Sequence, residues 1–146
     1  MENKKKALKV VGYVIILLTV VSIITEAIKF CTGGYAEAEI AKAVGAQWNS
    51  SLYMPYLILI IAALSIMSIL YIFLGIRGIK QADGKAKKYG HITLATVLLV
   101  IDLISCVFGL MNMQNGQVNE IESVRSILMT VLLFLYVSDA KALKED

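Results

Sequence analysis

Four long runs of apolar residues, separated by short polar segments, organise this chain. They cover about residues 9–30, 53–79, 91–113 and 121–140. Each run approaches the roughly 20 residues that an α-helix needs to cross a hydrocarbon core about 30 Å thick. Apolar and polar residues do not alternate along them, as the strands of a membrane β-barrel require. The pattern predicts an all-α integral membrane four-helix bundle, with residues 1–146 forming a single domain.

The segments between the runs refine this prediction. The first run follows the basic KKKALK, as in a signal peptide, but it is too long for such a core and lacks a clear cleavage site. We therefore expect an uncleaved first span. In the segment after it, Ala36, Ile40, Ala43 and Val44 share one helical face, which predicts a short amphipathic external helix between spans 1 and 2. The short NMQNGQVNE predicts that the third and fourth helices are antiparallel neighbours.

Composition supports lipid as the surrounding solvent. The chain is 58% hydrophobic and 17% charged, whereas soluble domains are close to half apolar and about a quarter charged. A soluble protein of this length could not bury so much apolar surface in one core. Because the excess apolar residues occur in runs, a multi-pass membrane protein is the class that fits.

Lys and Arg residues are divided unevenly between the two sides that four spans create. One side carries both termini and the loop between spans 2 and 3, and it holds eleven of the fourteen Lys and Arg residues; Lys29, Lys42 and Arg125 fall on the other side. Short loops rich in Lys and Arg stay in the cytoplasm. We therefore expect a protein of the cytoplasmic membrane with both termini in the cytoplasm.

The loop between spans 2 and 3, within LGIRGIKQADGKAKKYGHI, is the most basic segment. Its cations are expected to contact lipid headgroups on the cytoplasmic side: Arg77, Lys80, Lys85, Lys87 and Lys88. A nucleic-acid site would need a recognisable motif or several aromatic residues for base stacking, and the loop offers only Tyr89. The lipid bilayer is thus the expected partner, and no nucleic acid is expected.

Glycines mark places where helices can approach closely. Gly75 and Gly78 lie three residues apart on one face at the end of span 2, and Gly109 lies among small residues in span 3. These three are predicted to serve helix packing. The glycines of GIRGI are not part of a GxxxxGK[ST] pattern, so a phosphate-binding loop is not indicated.

One stretch of the chain resembles a known group of proteins. GIRGIK at the end of one span, a short basic loop with KAKKYG, and a further apolar span resemble uncharacterised small four-span membrane proteins of Gram-positive bacteria. The resemblance covers only the middle of the chain. It implies a bacterial membrane setting and no particular activity.

Polar residues recur near the middle of every predicted span. Asp102 lies eleven residues after His91, hence about 16 Å into the bilayer, where a carboxylate costs at least ~2.5–3.5 kcal/mol unless it faces the protein interior. The predicted mid-membrane polar layer consists of Asp102, Ser105, Thr19, Ser22, Ser65, Ser68, Ser126 and Thr130. Two interpretations remain open. The layer supplies hydrogen bonds between helices, or it forms a relay for protons, ions or a small substrate centred on Asp102.

Signals for catalysis are few. His91 is the single histidine, and HExxH, GxSxG and dinucleotide-binding motifs do not occur. Cys31 and Cys106 are predicted at different depths and do not form a CxxC, so neither a disulfide nor a thiol-redox site is expected. We expect no catalytic residues, no metal and no cofactor. An enzyme acting on lipids would have only Asp102 and His91 to use, and these lie at different levels.

These observations favour a non-enzymatic multi-pass membrane protein. Its expected role is that of an accessory or interaction subunit that acts through helix contacts, in a homo-oligomer or in a larger membrane protein complex. The alternative is a small oligomeric transporter linked to protons or cations and centred on Asp102. Four short spans enclose little space, so transport would require a dimer or larger assembly.

Overall fold

Four long helices account for most of the protein. The computed structural model describes residues 2–32, 37–38, 40–41, 45, 49–86, 88–113 and 120–145. The helices of this part are α1 (Glu2–Cys31), α2 (Tyr53–Ala82), α3 (Gly90–Met113) and α4 (Glu120–Glu145), with a short 3-10 turn at Ser50–Leu52 before α2. By length and composition, all four long helices are sufficient to cross a membrane. The prediction of an all-helical protein with four apolar spans is confirmed.

The helices extend beyond the apolar runs that predicted them. α1 begins at Glu2, so the basic residues before the first run are helical, and α2 continues through Lys80 to Ala82. Lysine and glutamate are good helix formers, and Glu2 and Lys6 form an exposed ion pair at 2.8 Å one turn apart. Apolar runs therefore mark the membrane-compatible part of each helix, and helix propensity extends the backbone past it.

The predicted external helix lies mostly outside the described residues. Ala36, Ala43 and Val44 belong to the part that is not described, whereas Ile40 is helical and buried. The amphipathic helix between α1 and α2 therefore stays a prediction.

Contacts divide the chain into two compact units. The terminal unit consists of Met1–Ile16 and Phe73–Asp146, and the middle unit consists of Leu17–Ile72. The terminal unit thus combines the first half of α1, the end of α2, and the whole of α3 and α4. The middle unit combines the second half of α1 with the first part of α2.

The core of the terminal unit is built from all four helices. Its largest fully buried side chains are Leu8 and Ile15 of α1, Leu74 of α2, Leu98 of α3, and Leu133 and Tyr136 of α4. Within α4 the buried positions follow helical spacing, because Leu132, Leu133, Tyr136, Val137 and Ala140 fall on one face. This face is the one that packs inward.

Contacts at both ends of α3 and α4 show how these helices run. His91 near the start of α3 lies edge-on to Tyr136 near the end of α4, with ring centres 6.2 Å apart. Farther along α3, Cys106 contacts Ser126 near the start of α4. The two helices pack against each other, and these pairings make them antiparallel, as the short segment between them predicts.

A close crossing joins α1 to the end of α2 in the terminal unit. A Cβ atom added at Gly12 would lie 2.8 Å from the Gly75 carbonyl oxygen, and one added at Gly75 would lie 2.7 Å from the Gly12 carbonyl oxygen. The two backbones therefore face each other at a distance that leaves no room for a methyl group. Absence of side chains at both positions is what permits this approach.

The described part of the middle unit contains buried and half-buried polar side chains. Thr19 and Tyr71 are buried, and Lys29 forms an ion pair with Glu26 at 3.2 Å, one turn earlier in α1. The hydroxyl of Thr25 donates to the Val21 carbonyl of its own helix. Such bonds satisfy a hydroxyl in an apolar environment without a partner on another helix.

Large apolar side chains are exposed along all four helices. Examples from both units are Leu17, Ile24, Ile28, Leu59, Ile69, Val97, Val107, Phe108, Val124 and Phe134. Proteins surrounded by water rarely expose contiguous apolar surface on this scale. The exposed faces are those expected of a multi-pass membrane protein, whose outer surface contacts hydrocarbon.

Candidate functional site

A buried polar cluster lies in the terminal unit where α2 ends, α3 begins and α4 ends. We call this region, together with the start of α1, the loop end. The cluster consists of Gln81, His91 and Tyr136, whose exposed fractions are 6%, 3% and 0%. Buried polar side chains are costly unless they are hydrogen-bonded, so their partners indicate what holds this end together.

Gln81 bridges two other helices. Its Nε2 donates to the backbone carbonyl of Ala140 in α4 at 2.8 Å, and its Oε1 lies 2.8 Å from Nε2 of His91 in α3. A carbonyl only accepts, which orients the amide nitrogen toward Ala140 and the amide oxygen toward His91. Since an amide oxygen also only accepts, His91 Nε2 carries the proton and donates it. One side chain of α2 is thereby bonded to both α3 and α4.

The other ring nitrogen of His91 has a different environment. Among the described residues, Nδ1 is buried and has no hydrogen-bond partner. The centre of the His91 ring lies 6.3 Å from that of Tyr89 and 6.2 Å from that of Tyr136. The hydrogen bond between Nε2 and Gln81 and the aromatic contacts therefore hold the imidazole, an arrangement suited to a structural side chain.

Tyr136 ties α4 to α2. Its hydroxyl donates to the Leu74 carbonyl at 2.8 Å. Its ring lies against Gly78, so closely that a Cβ atom there would overlap the ring. Glycine at this position opens the groove on α2 that the tyrosine ring fills, and the phenolic hydroxyl then reaches the backbone one turn away.

The rim of the loop end is held by an ion pair between α1 and the turn after α2. Lys9 Nζ donates to Asp83 Oδ1 at 2.7 Å, with both side chains partly exposed. The hydrogen bond from Lys9 holds the pKa of the Asp83 carboxyl below its ordinary value, and the positive charges of Lys9 and Lys85 act in the same direction. Partial burial opposes this shift.

The end of α2 is closed by a glycine cap that directs the chain into the basic loop. Gly84 has φ 70°, Lys85 N donates to the Lys80 carbonyl at 2.8 Å, and Gly84 N donates to the Gln81 carbonyl at 3.0 Å. These two bonds form the Schellman motif, which needs a left-handed residue that glycine adopts without strain. The cap satisfies the last carbonyls of α2 and fixes the direction of the loop.

The predicted polar layer is distributed over both units. Thr19, Ser22, Ser65 and Ser68 belong to the middle unit, where Thr19 is buried, Ser22 and Ser68 are half-buried and Ser65 is exposed. The Ser65 hydroxyl donates to the Ile61 carbonyl at 2.7 Å, and the Ser105 hydroxyl of the terminal unit donates to the Ile101 carbonyl at 3.0 Å. Both serines thus form hydrogen bonds within their own helices.

Three other polar residues join α3 to α4. Cys106 Sγ lies 3.2 Å from Ser126 Oγ and 3.3 Å from Thr130 Oγ1. Thr130 also donates to the Ser126 carbonyl at 2.9 Å, so its single proton is used there and its oxygen accepts from the cysteine. Asp102 is half-buried on α3, one turn before Cys106. Cys106 thus contributes polar contacts between α3 and α4.

The residues predicted to pack helices or to contact headgroups differ in their surroundings. Gly75 and Gly78 lie against Gly12 and Tyr136, while the surroundings of Gly109 are outside what the structure describes. Lys80, Lys85 and Lys88 are exposed, and Lys87 is outside the described residues. The half-buried Arg77 holds its guanidinium carbon 5.4 Å from the ring centre of Phe73, a cation–π contact within α2.

Sequence reasoning missed the cluster at the loop end. Gln81 belongs to no motif, Tyr136 lies inside an apolar run, and His91 is a single histidine without a second metal-ligating residue beside it in the sequence. A usable signal exists, because Gln81 and His91 lie ten residues apart at facing helix ends joined by a short loop.

Comparisons of the chain with protein-family models, with curated proteins and with solved structures return no match.

Proposed function

We propose that this multi-pass membrane protein is a non-enzymatic accessory or interaction subunit, acting through its outer helix faces in a homo-oligomer or larger membrane complex. The observation that carries this proposal is how the interior polar groups are used. Gln81, His91 and Tyr136 bond helix to helix, and Cys106 joins α3 to α4. These groups stabilise a fixed arrangement of helices, which is what a scaffold for partner helices needs.

The outer face of α3 is the surface we propose for partner contact. It exposes large apolar side chains at helical spacing: Val97, Val100, Ile101, Ile104, Val107 and Phe108. Its opposite face contributes Ala95 and Leu98 to the core of the terminal unit. One face therefore packs inward while the other is available to lipid or to another transmembrane helix.

Site-specific photocrosslinking tests this proposal. A photoreactive amino acid at Val100 or Ile104 should give a discrete protein adduct in native membranes, and the same group at the buried Leu98 should give none. Adducts with lipid alone at Val100, Ile104 and equivalent outward positions on α1, α2 and α4 would contradict an interaction role. Co-purification in mild detergent then identifies the adduct as a second copy or another protein.

We further propose the cytoplasmic membrane as the location, with the loop end and both termini in the cytoplasm. Support comes from the excess of Lys and Arg on that side. Cys31 is exposed at the far end of α1 and should react with a membrane-impermeant thiol reagent in intact bacterial cells. Cys31→Ser should abolish labelling, and adding Lys85→Cys to that variant should not restore it. If only the variant with Cys31→Ser and Lys85→Cys were labelled, the protein would have the opposite orientation.

A second candidate function is transport of protons or cations centred on Asp102. Support comes from the position of this half-buried carboxyl one turn from Cys106, which contacts Ser126 and Thr130. Purified protein in liposomes with a pH-sensitive dye, under an imposed ion gradient, should show flux that Asp102→Asn abolishes while the helical content is kept. Absence of flux from the wild type would count against transport, and flux unchanged in the variant would remove Asp102 from the mechanism.

A further inference from the structure

The start of α1 and the end of α2 bring two basic segments together. Residues 1–9 carry a formal side-chain charge of +3 and residues 77–90 carry +4. In the terminal unit, the Lys9–Asp83 ion pair and the close Gly12–Gly75 crossing hold these segments beside each other. The sequence places them far apart, so only the fold makes them one surface.

Two of the lysines form ion pairs with the carboxylates of these segments. Glu2 and Asp83 are the acidic residues in residues 1–9 and 77–90. Glu2 pairs with Lys6, and Asp83 pairs with Lys9. The exposed cations beside them are Lys4, Lys5, Lys80, Lys85 and Lys88, and none of these five has an ion pair in the part of the chain that the structure describes. We call these five lysines the basic face.

We infer that the basic face binds the phosphodiester headgroups of anionic phospholipids and selects them over zwitterionic ones. The lysines lie at helix ends and in the short loop, where the apolar part of each helix stops and headgroups begin. Each ammonium is a compact charge on a flexible stem that can extend along the membrane surface to a phosphate. The surplus of positive charge provides the complementarity, and the joined helix ends concentrate it on one side of the terminal unit.

The glycine cap of α2 keeps part of this face in place. The bond from Lys85 N to the Lys80 carbonyl sets the path of the chain between two of the five lysines. The Gln81 bonds to His91 and Ala140 hold the same turn against α3 and α4. The lysines thus extend from an ordered backbone, which reduces the entropy lost when a headgroup is bound.

Lipid selectivity in reconstituted bilayers tests the inference. The protein is placed in phosphatidylcholine vesicles containing spin-labelled phosphatidylglycerol or spin-labelled phosphatidylcholine, and the association of each labelled lipid with the protein is compared. The wild type should prefer phosphatidylglycerol, and the preference should fall as salt is raised. Each lysine in direct contact is worth about fivefold in headgroup affinity, so Lys85→Gln with Lys88→Gln should lower the preference by up to about 25-fold. The other three lysines of the basic face account for any preference that remains. Lys85→Arg with Lys88→Arg keeps the charge and should keep the preference.

Several outcomes would overturn the inference. Equal association of both lipids with the wild type would exclude selection of anionic headgroups. An unchanged preference in the variant with Lys85→Gln and Lys88→Gln would show that these two lysines do not select the lipid. They would then be assigned to another partner, such as an acidic protein segment. Loss of the preference on adding inorganic phosphate at the concentration of the labelled lipid would assign the face to free phosphate. The inference needs the membrane location but neither the accessory role nor the orientation, so those proposals can fail without it.

Discussion

Replacing Gln81 with leucine should destabilise the protein more than any single hydroxyl deletion at the loop end. The side chain is buried and makes two bonds of 2.8 Å to two different helices. Leucine has a similar volume and fits an apolar environment, so the main loss is that of the two hydrogen bonds. The change leaves the His91 Nε2–H and the Ala140 carbonyl buried without the partner that each has in the wild type.

The magnitude follows from the number of bonds lost. Hydrogen bonds between membrane helices average about 0.6 kcal/mol and reach about 1.7, so Gln81→Leu should cost about 1–3 kcal/mol. Tyr136→Phe removes one bond. Leu74 lies inside α2, so its carbonyl also serves as a helical acceptor, and the cost should be about 0.6–1.7 kcal/mol. Ser65→Ala is the matched control, because among the described residues this exposed hydroxyl bonds only within its own helix, and its cost should be close to zero.

A double-mutant cycle with His91 isolates the contact. His91→Leu should itself be destabilising, but in combination with Gln81→Leu the two polar partners disappear together. Replacing both members of a buried pair by apolar groups removes the penalty of the stranded one. The double variant should therefore be more stable than the sum of the single losses predicts, by about 1 kcal/mol. Unfolding by sodium dodecyl sulfate in mixed micelles, followed by circular dichroism, supplies the four free energies.

Two results would refute this reasoning. A Gln81→Leu variant as stable as Ser65→Ala would show that the bridging amide contributes nothing. Single losses that add fully in the double variant would show that Gln81 and His91 act independently, contrary to the 2.8 Å contact between them.

Three further predictions concern packing, pH and thiol access. Gly75→Ala should cost about 1–3 kcal/mol by overpacking, since its Cβ atom would lie 2.7 Å from a backbone oxygen of α1. Gly90→Ala is the control and should be tolerated, because a Cβ atom there meets open space. Thermal unfolding in detergent compares the two variants. The lowered pKa of Asp83 means that its ion pair contributes stability at pH values above the unfolded pKa of about 3.9. This contribution is lost as pH falls through the folded pKa. Asp83→Asn should therefore flatten the dependence of stability on pH in this range, and a profile identical to that of the wild type would exclude the ion pair as its cause. In detergent, the exposed Cys31 should react with a thiol reagent faster than the half-buried Cys106, which should react fully only on unfolding; equal rates would contradict the Cys106 contacts.

The four spans and the all-helical class could be predicted from the sequence because they depend on local properties. A run of apolar residues long enough to cross a bilayer is visible without knowing what the helix packs against. The same holds for the turn at Asp83–Gly84, where glycine supplies the left-handed conformation that the α2 cap requires. The division of Lys and Arg residues is likewise a property of the sequence, and the orientation predicted from it awaits the labelling experiment.

The loop end was decided by tertiary structure. Gly12 gains its importance only from Gly75 on the facing helix, and Gly78 gains its importance from the ring of Tyr136. The bonds from Gln81 to Ala140 and from Tyr136 to Leu74 join residues about sixty positions apart. A polar residue inside an apolar run carries no information about which neighbour will satisfy it. That partner depends on the rotation of each helix about its axis, which is set by packing across all four helices at once.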